Sequence, residues 1–115
     1  MLEKDCLFCK MIRNEIPSEI VYEDDKMRII KDIAPKAKNH YLMFLKDHFK
    51  YLSEMTPAQA ETLAQCLRKV SELKELLHLE NGFRCVINQG DDAGQTVPHL
   101  HVHILSGQKM EWNPA

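Results

Sequence analysis

Short apolar runs occupy the first and last thirds of the chain, and a single helical stripe separates them. Residues 20–23, 27–32 and 41–45 are extended-type runs punctuated by Asp24-Asp25 and Ala34-Pro35, which predicts three consecutive antiparallel strands. Residues 83–88 and 99–105 predict two more. Between the two groups, Leu63, Leu67, Val70, Leu73 and Leu77 recur at helical spacing. Thr56, Pro57 and Gln59 supply an N-cap, a first-turn proline and a capping-box partner, and Asn81-Gly82 offers a stop. A long amphipathic helix is therefore expected within 56–79, packing its stripe on a sheet or a partner helix. Residues 7–14 predict a shorter helix that ends ahead of Pro17. The expected class is α+β, a five-stranded antiparallel sheet with one long and one or two short helices. Neither repeats nor linkers interrupt residues 1–115, which are expected to form one domain.

The last predicted strand carries an unusual face. His99, His101 and His103 alternate with Leu100, Val102 and Ile104, so a strand would direct three imidazoles to one side and three aliphatic side chains to the other. Neutral imidazole is both a metal ligand and a nucleophile. Spacing alone leaves three readings open: a metal site, phosphorus chemistry, or a solvated polar face. Just upstream, residues 89–96 form a loop with Gly90 and Gly94, long for a tight hairpin. Such a loop can turn backbone N–H groups towards phosphate oxygens, and Gln95 and Thr96 add an amide and a hydroxyl.

Bulk properties narrow the classes. Fifteen basic against seventeen acidic residues leave a formal charge of −2, with no general field for a polyanion, so nucleic-acid binding is not expected. No window approaches a membrane span, and the charged N-terminal segment lacks the apolar core of a signal peptide, which predicts a cytoplasmic protein without membrane association. The four cysteines read as thiols or metal ligands; Cys66 and Cys85 are expected in the core. Cys6 and Cys9 form a C-x-x-C half-site, too close to the start for a thioredoxin-like setting and two ligands short of a closed zinc site.

Asn88 and the run Gly94-Gln95-Thr96-Val97-Pro98-His99-Leu100-His101-Val102-His103-Ile104-Leu105 resemble the signature of the histidine triad (HIT) nucleotide-binding family. Further landmarks follow in order: Cys6-Leu7-Phe8-Cys9-Lys10, Glu15-Ile16-Pro17, Tyr22-Glu23-Asp24, Asp32-Ile33-Ala34-Pro35, His40-Tyr41-Leu42 and Lys46-Asp47-His48. The resemblance implies the HIT fold and a hydrolase that cleaves purine nucleoside phosphoramidates through a nucleotidyl-histidine, with no metal at phosphorus. His101 is then the nucleophile, and the carbonyl of His99 orients its ring. His103 binds a phosphate oxygen, with Asn88, the Gly94 backbone and Thr96 sharing that work, and the Thr96 hydroxyl serves the leaving group.

The same resemblance puts Asp32 on the ribose hydroxyls and Phe8, Ile16, Ile30 and Ile33 around the base, with Gln95 in the nucleotide-binding loop and His40 close to the triad. Bacterial-type members that carry the paired cysteines bind a structural zinc; their ligands match Cys6, Cys9, His48 and His99. A homodimer is implied, with the C-terminal tail reaching the partner's site and Trp112 influencing the leaving group. Pro98 stands where an aromatic is common and Thr96 where serine is frequent. Two alternatives remain: dinucleoside polyphosphate hydrolysis by the same histidines, and a non-catalytic zinc-dependent binding or regulatory module.

Overall fold

Strand alternation divides this sequence between two unlike sheet faces. In a computed structural model, residues 2–111 are described; residues 1 and 112–115, including the predicted specificity residue Trp112, lie outside the described residues. The strands are β1 (Ile20–Glu23), β2 (Met27–Lys31), β3 (Asn39–Leu45), β4 (Phe83–Val86) and β5 (His101–Ser106). They form one five-stranded sheet in the order β1-β2-β3-β5-β4, with every neighbouring pair antiparallel. Helix α1 (Leu7–Ile12) precedes β1, and α2 (Pro57–Glu72) joins β3 to β4. The fold is α+β, as the pattern predicts. Among the described residues, no helix is long and apolar enough to cross a membrane.

One face builds the larger core. Met27 and Ile29 of β2, Tyr41, Met43 and Leu45 of β3, and Val102 and Ile104 of β5 pack with Leu63, Cys66 and Val70 of α2. The alternate residues of the same strands project to the opposite face, where Ile30 and Phe44 meet Cys6, Phe8 and Cys9 around α1. Arg28, buried on β2, ties this small helix to the sheet: its guanidinium donates to the Met11 carbonyl at 2.6 Å and to Glu23 at 2.9 Å. Asn14, at φ 61°, closes α1 by letting the Glu15 N–H reach the Lys10 carbonyl at 2.8 Å.

The long helix stops earlier than its apolar repeat suggests. The Thr56 cap, the first-turn proline and the Gln59 capping box are present, but α2 ends at Glu72. Leu77 and Leu79 are both buried in the core. Two positions apart on an α-helix they would point about 200° from one another, so the chain must leave helical geometry to bury both. His78 makes that departure at φ 59°, and the Leu79 N–H closes the turn on the Lys74 carbonyl at 2.8 Å. The expected stop at Asn81-Gly82 is therefore not the one used.

Two further expectations are corrected. The ladder of β5 begins at His101 rather than His99, because the His99 N–H turns back to the Val97 carbonyl and the Leu100 N–H goes to Phe49. Cys85 is exposed rather than core. It alternates along β4, an edge strand with a sheet neighbour on one side only, next to the exposed Phe83.

Glycine adopts positive φ without the Cβ penalty that histidine meets at position 78. His78→Gly is expected to raise unfolding free energy by about 0.5 to 1 kcal/mol in urea titration; a loss of stability would show that the His78 side chain contributes more than its backbone costs.

Candidate active site and metal cluster

The second sheet face opens into a cavity of about 480 Å³, lined by residues from α1, β2, β3, β5 and the loop before β5. Register explains the assembly. Leu42 lies opposite His103 and Phe44 opposite His101 on the paired strands β3 and β5, so the imidazoles and their apolar neighbours share one face. Phe8 stacks on Phe44 with centroids 4.4 Å apart and presents its edge to the His101 ring at 5.1 Å.

His101 is held through one nitrogen. Its Nδ1 lies 2.7 Å from the carbonyl oxygen of His99, an acceptor only, so Nδ1 carries the proton and Nε2 keeps its lone pair. Burial pushes the His101 pKa down, which favours this neutral form. His103 lines the cavity two residues on, with Nδ1 at 2.9 Å from Nε2 of His40. Burial, reinforced by the neighbouring His101 and His40, pushes His103 to about 4. The geometry offers a bare imidazole nitrogen beside a second neutral imidazole, in an apolar, partly closed space. That arrangement suits attack on an electrophile bearing an anionic group.

The remaining predicted residues divide. Phe8, Ile30, Asp32, Ile33, Asn88, Gly94 and Thr96 all line the cavity. Ile33 is fully exposed at its mouth, an apolar surface that only a ligand or partner would cover. Asp32 serves the turn that sequence also suggests: Oδ1 accepts the Ala34 N–H at 2.8 Å, while Oδ2 lies 3.3 Å from His40 Nε2. Each oxygen retains further lone-pair capacity for a ligand.

Ile16 and Gln95 do not line the cavity. Gln95 instead clamps the loop: its amide donates to the carbonyls of Lys50 and Val97, and its oxygen accepts the Gly90 N–H. The N–H groups of Ala93, Gly94 and Gln95 are likewise spent inside the loop, on the carbonyls of Gly90, Asp91 and Gly90. These backbone donors are therefore not turned towards an anion, and from this part of the chain Gly94, Thr96 and Val97 line the cavity beside Asn88. Leu7, Met11, Leu42 and Val97 also line the site. Strand alternation could have flagged Leu42, two residues from both His40 and Phe44; the others are brought in by the docking of α1 and the loop.

Behind the cavity lies a second cluster. Cys6, Cys9, His48 and His99 each direct one ligand atom to a common point, all within 4.8 Å of one another. His99 Nδ1 is 3.3 Å from Cys6 Sγ, 3.5 Å from Cys9 Sγ and 3.2 Å from His48 Nδ1, and the last is 3.3 Å from Cys9 Sγ. Zinc bonds to nitrogen and sulfur give tetrahedral edges of about 3.3 to 3.8 Å, so the donor set fits. The tautomer fits as well. His99 Nε2 donates to the Leu45 carbonyl at 2.9 Å, leaving Nδ1 bare towards the cluster. Burial pushes the Cys9 thiol up to about 11, so a bound cation would be needed to hold it as the thiolate that ligates zinc at pH 7.

Comparison with known proteins shows the family. The HIT domain family matches residues 13–110. An uncharacterised HIT-like protein of Synechocystis is 43% identical over 98% of this chain and 99% of its own length. A 14 kDa zinc-binding protein of Zea mays is 39% identical over 94% of this chain and 86% of its own. The crystal structure of a HIT family hydrolase from Legionella pneumophila superposes with a TM-score of 0.90 at 37% identity, covering 96% of this chain and 100% of that one. A histidine triad nucleotide-binding protein from Candida albicans superposes at 0.78 with 31% identity, covering 96% and 84%. The chain belongs to the HIT family.

Two outcomes follow from the buried imidazoles and the cluster. Because the folded protein holds His103 neutral and the unfolded chain protonates it near pH 6.5, unfolding takes up protons between those limits. Stability from this source is complete above about pH 6.5 and falls as the pH drops towards about 4. In urea titrations between about pH 7 and pH 5, His103→Asn should show a slope shallower by roughly one proton; unchanged slopes would contradict the assignment. Elemental analysis should find about one zinc per chain in wild type and in His101→Ala, and little in Cys6→Ser. Equal loss in both variants would contradict the separation of the two clusters.

Proposed function

We propose that this protein is a HIT hydrolase that cleaves purine nucleoside phosphoramidates to nucleoside monophosphate and amine. The observation that carries this reading is the 2.7 Å hydrogen bond from His101 Nδ1 to the His99 carbonyl, which leaves Nε2 nucleophilic at the floor of a nucleotide-sized cavity. Nε2 attacks the α-phosphorus and forms a P–N bond as the bond to the amine breaks; the departing nitrogen takes up a proton from solvent, relayed through the Thr96 hydroxyl, and leaves as the free amine. Water then cleaves the nucleotidyl-histidine, returning His101 and releasing the monophosphate. His103 and Asn88 steady the phosphate oxygens, and the Thr96 hydroxyl serves the departing amine. Asp32 takes the ribose hydroxyls, and Phe8, Ile30 and Ile33 enclose the base.

The names of the Legionella and Candida proteins, a hydrolase and a nucleotide-binding protein, support the same assignment. Zinc held by Cys6, Cys9, His48 and His99 supplies structure only, cross-linking α1 to the segment that enters β5. The exposed Phe83 and Cys85 on edge strand β4, with exposed Leu76, support a homodimer through that edge. One observation favours a second substrate: Lys31 and Lys36 line the cavity, where the additional phosphates of a dinucleoside polyphosphate would find positive charge.

Turnover of an adenosine phosphoramidate, followed by release of adenosine monophosphate, tests this reading. Wild type should turn over and His101→Ala should lose about 10³-fold or more in kcat/KM with its thermal unfolding little changed. Turnover of the polyphosphate alone would move the assignment to the second substrate; normal turnover by His101→Ala would overturn the nucleophile.

A further inference from the structure

His40 is buried at the back of the cavity, on β3, and both of its ring nitrogens are engaged. The Lys36 backbone N–H donates to His40 Nδ1 at 2.9 Å. A backbone amide is a donor only, so Nδ1 must be bare and the single proton of the neutral ring sits on Nε2. Two acceptors face that proton: His103 Nδ1 at 2.9 Å and Asp32 Oδ2 at 3.3 Å. The nearer contact is possible only if His103 Nδ1 is bare as well. The proton of neutral His103 then sits on Nε2, the nitrogen left to meet a ligand.

We propose that His40 is a positioning residue that, set by the Lys36 amide, donates to His103 Nδ1 and so fixes His103 as the Nε2–H tautomer, ready to donate to a substrate phosphate oxygen. Its catalytic consequence rests on the phosphoramidase reading; the hydrogen bond itself does not. Burial lowers the pKa of His40 and of His103, which keeps both rings neutral at pH 7. The same accounting disfavours a competing arrangement. Asp32, His40 and His103 could converge on a divalent cation, a two-histidine, one-carboxylate set. A cation on His40 Nε2 would displace the proton there while Lys36 still occupies Nδ1, leaving an imidazolate. The neutral donor avoids that cost.

Two kinds of measurement test the proposal. In ¹⁵N-histidine-labelled wild type at neutral pH, NMR should show a through-hydrogen-bond coupling between His40 Nε2 and His103 Nδ1, with the His103 proton on Nε2. A His103 ring protonated on Nδ1 overturns the proposal regardless of what the enzyme hydrolyses. The kinetic arm compares two polar replacements. His40→Asn keeps an acceptor for Lys36 and loses the reach to His103; it should lower kcat about tenfold or more with adenosine monophosphate affinity nearly unchanged. His40→Gln can still extend an amide donor to His103 and should recover most of that loss. A purely structural role would move both variants alike, and equal kcat values in the two would overturn the positioning role. If no phosphoramidate is turned over by wild type, the function fails while the coupling still decides the tautomer.

Discussion

Everything at this site depends on how residue 99 is held. The His99 ring is clamped between the Leu45 carbonyl at Nε2 and the cysteine cluster at Nδ1, and its backbone carbonyl, 2.7 Å from His101 Nδ1, fixes the neighbouring imidazole. One residue therefore serves a candidate metal centre with its side chain and the candidate nucleophile with its main chain. Because the carbonyl accepts only a proton-bearing nitrogen, its position decides which His101 nitrogen is free.

Packing makes that arrangement rigid. Phe8 lies between Cys6 and Cys9 in sequence, stacks on Phe44 and meets both His99 and His101 edge-on. Leu7, Phe8 and Met11 of the same small helix line the cavity. A metal bound by Cys6 and Cys9 would hold this wall in place, which is how a structural ion can matter to a pocket it does not enter. Burial does the electrostatic work, favouring the neutral forms of His101 and His103.

Much of this was legible in the chain because it follows from short-range rules. The β1 run, the Thr56-Pro57-Gln59 start of α2 and the alternation of imidazoles with aliphatics each depend on neighbours a few residues apart, and the structure has them. What sequence did not reveal depends on distant partners. Leu77 and Leu79 are buried together only because the chain beyond α2 turns at His78, and Cys85 is exposed because β4 happens to be the sheet edge. Gln95 and the glycine loop looked like an anion cradle by composition, yet their donors close the loop on itself and on Lys50. The link from Lys36 through His40 to His103 has no sequence signal beyond a histidine at position 40, since it arises from the register of β3 on β5.

The proposed chemistry turns on His101 Nε2 as the atom that reacts. Rapid quenching of the protein with an adenosine phosphoramidate, followed by proteolysis and mass-spectrometric mapping, locates the nucleotidyl group directly. An adenylyl group on His101, bonded through Nε2, is expected. An adduct on His103 or His40, or turnover with inversion at phosphorus and no protein adduct, would contradict it.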